Sequence, residues 1–173
     1  MEEKELLPEQ IITLNDYPVH NERILELYYR IYKNGCSKIV PFCPLIHKKI
    51  VLTFLDSELL TKFKEFESNH PKAEYFMLDG SHRTTAATLT KSPIRGIIIE
   101  NDQDLIKAKS MIDQGDVLSN DIVEKNIKEN CLILNDHFKE KPFFQTVKEK
   151  TERMIKEKII AKYLFEGYSE SNL

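Results

Sequence analysis

Asp79, Gly80, Ser81, His82 and Arg83 stand between an apolar run, Phe76-Met77-Leu78, and a run of small residues, Thr84-Thr85-Ala86-Ala87. That order describes a strand passing through a glycine turn into a helix. The first N–H groups of such a helix have no intrahelical acceptor, and the positive end of its dipole points into the turn. Glycine lets a ligand approach the backbone, while His82 and Arg83 add donors and Arg83 a permanent charge. The chemistry offered is anion binding, with phosphate the first ligand to consider. A purely structural account uses the same residues: Asp79 and Ser81 cap the helix, Gly80 makes the turn, and His82 and Arg83 are solvated.

The whole chain sets the frame for this turn. Its 173 residues suit one domain, or one domain with a helical appendage. Hydrophobic residues make up 41% and charged residues 31%, the balance of an ordinary soluble protein. A net charge of -3 argues against a DNA binder that relies on a bulk positive field. The segment Met1-Glu2-Glu3-Lys4-Glu5-Leu6-Leu7-Pro8 has no basic region leading into a hydrophobic run, and no apolar stretch is long enough for a bilayer. A cytoplasmic protein without a membrane association is expected. Cys36, Cys43 and Cys131 are too widely spaced for a disulfide framework or a metal knuckle and read as small buried hydrophobes. The histidines show no metal-ligand spacing.

The elements that must position the turn follow from the hydrophobic pattern. Gln10 to Leu14 reads as a strand, and the loop Asn15 to Asn21 carries His20, a candidate ligand contact. A helix with apolar face Ile24, Leu27, Tyr28 and Ile31 then closes at Asn34-Gly35. Ile39 to Ile46 and Lys49 to Leu55 read as strands, the first interrupted by Pro41 and Pro44 and so either at an edge or irregular. Asp56-Ser57 caps a helix with face Leu59, Leu60, Phe63 and Phe66. After the turn and its helix, Ile94 to Glu100 is a buried strand, and Asn101 or Asp102 caps a helix that closes at Gly115. Alternating strands and helices predict a mixed α/β fold.

From Asn120 onward the pattern is helical only, with one run through Cys131 and a longer helix from Phe143 to Leu164. Lysines and glutamates interleave between Lys139 and Lys162, a spacing that describes a solvated face rather than a nucleic-acid surface. No helix-turn-helix, repeat or low-complexity segment is evident.

The order of strand, loop, helix ending in Asn34-Gly35, apolar run with Pro41, and Leu78-Asp79-Gly80-Ser81-His82-Arg83 with Ala86-Ala87 resembles the ParB/sulfiredoxin-like superfamily. The resemblance covers roughly Ile11 to Gly115 and rests mainly on Asp79 to Ala87. It implies a nucleotide-binding domain over residues 8–118, with an insertion near 48–72, followed by a helical C-terminal extension over 119–173. Sulfiredoxins carry a nucleophilic cysteine where this chain has Ser81, and a hydroxyl does not replace a thiolate in sulfur chemistry. Partition proteins tend to have arginine at the position of His82 and a DNA-reading module after the domain. The pattern Asp-Gly-x-His-Arg is closest to the free-serine-kinase-like members.

That likeness implies an ATP- or ADP-dependent kinase acting on a small hydroxyl compound such as free serine. Gly80, Ser81, His82, Arg83 and Thr84 would hold the nucleotide phosphates, Asp79 would bind Mg²⁺ or substrate, and Glu22 would be the general base. Phosphoryl transfer requires cations around the phosphates and a carboxylate near the attacking hydroxyl, which these residue types supply. Glu22 also suits the first turn of a helix on dipole grounds alone. The expected partners are nucleotide and small-molecule substrate, with a homodimer through the C-terminal helices. The other class in view is a non-catalytic nucleotide-binding regulatory or DNA-partition-like module, with the 48–72 insertion as a cover for the pocket or a partner surface.

Overall fold

In the computed structural model, which describes residues 1–15, 21–117 and 120–168, one mixed sheet is sandwiched between two helical layers. His20 and Pro18 of the loop lie outside the described residues. The strands are β1 (Glu2–Leu6), β2 (Ile11–Thr13), β3 (Cys43–His47), β4 (Tyr75–Met77), β5 (Ile94–Ile99) and β6 (Gln145–Thr146). Their spatial order is β1-β5-β3-β4-β2-β6. The pairs β3–β5 and β2–β4 are parallel; β1–β5, β3–β4 and β2–β6 are antiparallel.

Side chains alternate across a strand, so neighbouring apolar residues feed two different cores. Ile11, Leu45, Tyr75, Met77 and Ile98 face the layer of α1 (Glu22–Lys33), α4 (Ser81–Leu89) and α8 (Val147–Lys156). Ile12, Ile46, Phe76 and Ile99 face the layer that includes α3 (Ser57–Asn69), α5 (Asp102–Asp113) and α7 (Ile127–Glu140). On that second side Phe63, Phe76, Phe138 and Phe144 form an aromatic cluster, with Phe138 and Phe144 centroids 4.5 Å apart. Two short helices, α2 (Lys48–Val51) and α6 (Asn120–Val123), complete the set.

Several expectations are corrected. The charged N-terminal segment, to which the hydrophobic pattern assigned no element, is β1, an edge strand pairing with β5 from Glu2↔Ile98 to Leu6↔Ile94; its charged side chains are tolerated where one edge faces water. Lys49 to Leu55 is not a strand. The ring nitrogen Nδ1 of His47 accepts from Lys49 N–H at 3.1 Å, which starts the short helix α2 and a following turn instead. The proline-interrupted run is irregular up to Phe42 and strand only over Cys43–His47, and that strand, β3, lies inside the sheet between β5 and β4 rather than at an edge, with Pro44 accepting on its carbonyl from Leu78 N–H at 3.0 Å. Cys36 is exposed, whereas Cys43 and Cys131 are buried.

The last third also departs from the helical reading. Gln145 and Thr146 form β6 against β2, and α8 ends at Lys156 rather than continuing to Leu164. Val147, Met154 and Ile155 join the same core as β2 and α4, so the apolar side of α8 is packed within this chain, while Leu132 and Ile133 of α7 stay exposed. The segment 48–72 packs its helix α3 on the sheet face opposite α4 through Leu59, Phe63 and Phe66.

Candidate functional site

β2 and β4 run parallel, so Thr13 and Met77 end at the same rim of the sheet, where loops of α/β proteins usually meet ligands. β4 leads into the turn and then α4. Gly80 occupies the N-cap position at φ 116°, ψ 24°, with no side-chain cap to the helix. The first main-chain bond of α4 runs from Thr84 N–H to Gly80 O at 2.9 Å. A cleft of about 190 Å³ opens on this turn, lined among others by Thr13, Leu14, Asp79, Gly80, Ser81 and Lys150. A second cleft of about 400 Å³ adjoins it, sharing Leu14, Leu78 and Asp79 and adding an apolar wall of Ile122, Ile133 and Leu134. No residue of 48–72 lines either cleft.

The motif residues divide by what they touch. Arg83 is 3% exposed. Its Nη1 donates to Phe42 O at 2.6 Å and Pro41 O at 3.2 Å, and its Nη2 to Asp79 Oδ2 at 2.6 Å. The guanidinium expected at a phosphate is thus directed inward, where it ties the loop before β3 to the turn and fixes the Asp79 carboxylate. Asp79 remains partly exposed and lines both clefts. Ser81 lines the smaller one. Thr84 is buried and its hydroxyl is engaged by Gly80 O at 3.0 Å and Ser81 O at 3.1 Å, a back-bond within the helix.

His82 accepts the Asn21 N–H on Nε2 at 3.2 Å, which joins the first turns of α1 and α4. Glu22 therefore starts its helix beside the turn but lines neither cleft. It is exposed, and its Oε1 accepts from the Tyr163 hydroxyl at 3.1 Å.

Two residues of the cleft escaped the sequence reading. Lys150, assigned to a solvated face, is 4% exposed, and its Nζ donates to Leu14 O at 2.9 Å. Burial, with the Arg153 charge beside it, pulls its pKa down to about 8. Its field also helps burial to lower the pKa of His137, whose Nε2 accepts from Asn15 N–H at 3.1 Å. Thr13 is 1% exposed, and among the described residues its hydroxyl has no hydrogen-bond partner. The available signal for Thr13 was a polar residue ending an apolar strand; for Lys150 the Glu-Lys interleaving concealed it.

Lys150 makes a definite pH prediction. Its folded pKa lies below the unfolded one, so the unfolded chain binds more protons between about pH 8 and the usual lysine value, and stability rises with pH there. Wild type should gain about 1 kcal/mol between pH 7 and pH 9 relative to Lys150→Met, read from urea midpoints of the two proteins at each pH. Equal pH dependence in both would show that the ammonium is not held in this way.

Among the described residues no group of three or more metal-ligating side chains occurs, and no helix is long and apolar enough to cross a membrane. Comparison of the chain with protein-family models, curated proteins and solved structures finds no match.

Proposed function

We propose that the protein binds ATP or ADP through its phosphates at the start of α4 and transfers a phosphoryl group to a small hydroxyl compound, free serine being one such acceptor. The observation that carries this reading is the shared placement of Asp79. Its carboxylate stands where the cleft at the helix start meets the larger, partly apolar cleft, held by Arg83 at 2.6 Å. A phosphate at a helix N-terminus and an acceptor in the adjoining space would place a hydroxyl and a phosphorus on either side of one oriented carboxylate.

In the reaction, the acceptor oxygen forms a bond to the terminal phosphorus, the bond from that phosphorus to the bridging oxygen of the nucleotide breaks, and the hydroxyl proton passes to Asp79. Much of the catalysis in such transfers is positioning and charge stabilisation. Mg²⁺ bound with the nucleotide would supply charge neutralisation at the phosphates; a carboxylate that takes the acceptor's proton does not ligate the metal in the same step, so Asp79 is assigned the proton rather than the ion. Asp79→Asn should keep nucleotide affinity and lower transfer by about a hundredfold, whereas Glu22→Gln should leave it nearly unchanged. The test is incubation with labelled ATP or ADP, Mg²⁺ and an amino-acid pool, followed by detection of labelled product. A loss confined to Glu22→Gln would assign the base to α1 instead.

The inward direction of Arg83 favours a second reading, a regulatory module related to partition proteins that binds nucleotide without turnover. Nucleotide binding with neither transfer nor hydrolysis would select it.

A further inference from the structure

The Asp79–Arg83 pair cancels its own charge at the turn, at 2.6 Å. The charge of the cleft wall is then set by Lys150, which makes no ion pair among the described residues and keeps one main-chain acceptor, Leu14 O. A buried ammonium without a counter-ion is costly, and so is a buried hydroxyl without a partner. Both belong to this one cleft: Thr13 ends β2, and Lys150 reaches from α8 to the carbonyl of the next residue, Leu14. Opposite them stands the start of α4, where the N-cap is glycine and the leading amides meet no side-chain cap. An ammonium, a hydroxyl and a helix N-terminus with a serine are complementary to a tetrahedral oxyanion.

We propose that Lys150, Thr13, Ser81 and the first turn of α4 form a subsite for one phosphoryl group, with Lys150 as its neutralising cation in place of Arg83. The identification of that group as the terminal phosphate of a nucleotide rests on the phosphotransfer reading; the subsite for an oxyanion does not. The C-terminal segment is accordingly part of the binding machinery rather than an appendage, since α8 supplies the cation.

The deciding experiment is calorimetric titration of the full chain with orthophosphate and with ATP, using wild type, Lys150→Met, Thr13→Val and, as a control, Lys148→Met. Lys148 lies on the same helix, half exposed beside Glu152. Lys150→Met should weaken orthophosphate and ATP at least about tenfold and Thr13→Val severalfold, with Lys148→Met unchanged. Both cleft variants should melt at or above the wild-type temperature, because each removes a buried group without full partners, so that weak binding does not report unfolding. Orthophosphate and ATP affinities in Lys150→Met equal to wild type would overturn the subsite, as would a wild-type protein that binds neither. Unchanged affinity with persistent ATP turnover in Lys150→Met overturns the subsite alone. Lysine-dependent orthophosphate binding by a protein that turns over no nucleotide supports the subsite and rejects the phosphotransfer reading.

Discussion

Replacing Arg83 with methionine should lower stability by about 3–5 kcal/mol, the range for breaking a buried ion pair from one side. The guanidinium is 3% exposed and serves three acceptors, Asp79 Oδ2, Phe42 O and Pro41 O. Methionine fills much of the volume and satisfies none of them. Because Asp79 is partly exposed, water can reach its carboxylate, which places the expected loss nearer 3 kcal/mol by the same argument. Chemical denaturation of the two proteins measures it directly. A loss under about 1 kcal/mol would show that the pair is worth no more than a surface salt bridge. Nucleotide transfer should fall as well, since Asp79 would lose the contact that fixes its direction.

Gly80→Ala should cost about 3 kcal/mol, from backbone strain at positive φ and from overpacking. An added Cβ at φ +116° would lie 2.6 Å from Cys43 Sγ and 3.3 Å from Cys43 Cβ. Cys43 is buried in β3, where its neighbours limit the rotation of Sγ and its Cβ is fixed by the strand backbone. The two contributions can be separated. Gly35→Ala, at φ +72° with nothing within 4 Å, should show the conformational part alone, about 1 kcal/mol. Cys43→Ala in the Gly80→Ala background should recover the steric part, and a double-mutant cycle reads the coupling. Additive effects at positions 43 and 80 would contradict the close approach.

The turn itself was legible from its residues, as were the strand before it, the helix after it and the mixed α/β class, because glycine between an apolar run and a small-residue run admits few conformations. The direction of Arg83 was not legible. Its three acceptors come from Asp79 and from Pro41 and Phe42, and nothing local announces that the loop before β3 will pass behind the turn.

The face of α1 illustrates a different limit. Ile24, Leu27, Tyr28 and Ile31 have helical spacing, but so do Leu25, Tyr28, Tyr29 and Tyr32, one residue along. The fold buries Leu25 and Tyr32 and leaves Ile24 and Leu27 exposed, since the tyrosine side packs against the core shared with α4. Hydropathy alone prefers the wrong register. The strands β1 and β6 were missed for related reasons: one is mostly charged, the other has two residues, and both are recognised only by their pairing with β5 and β2. Lys150 combines these effects, being a charged residue in a charged helix whose burial is decided by where β2 ends.

The most direct measurement of the central claim is a nucleotide titration followed through the backbone amides by ¹H–¹⁵N NMR. The account predicts that ATP shifts the resonances of Thr13, Leu14, Gly80, Ser81, His82, Arg83 and Lys150 first and most, and that adenosine, which lacks phosphates, leaves the α4 amides in place. Shifts centred instead on the groove between Pro8, Lys91 and Tyr168, or no shifts at millimolar ATP, would contradict phosphate binding at the start of α4.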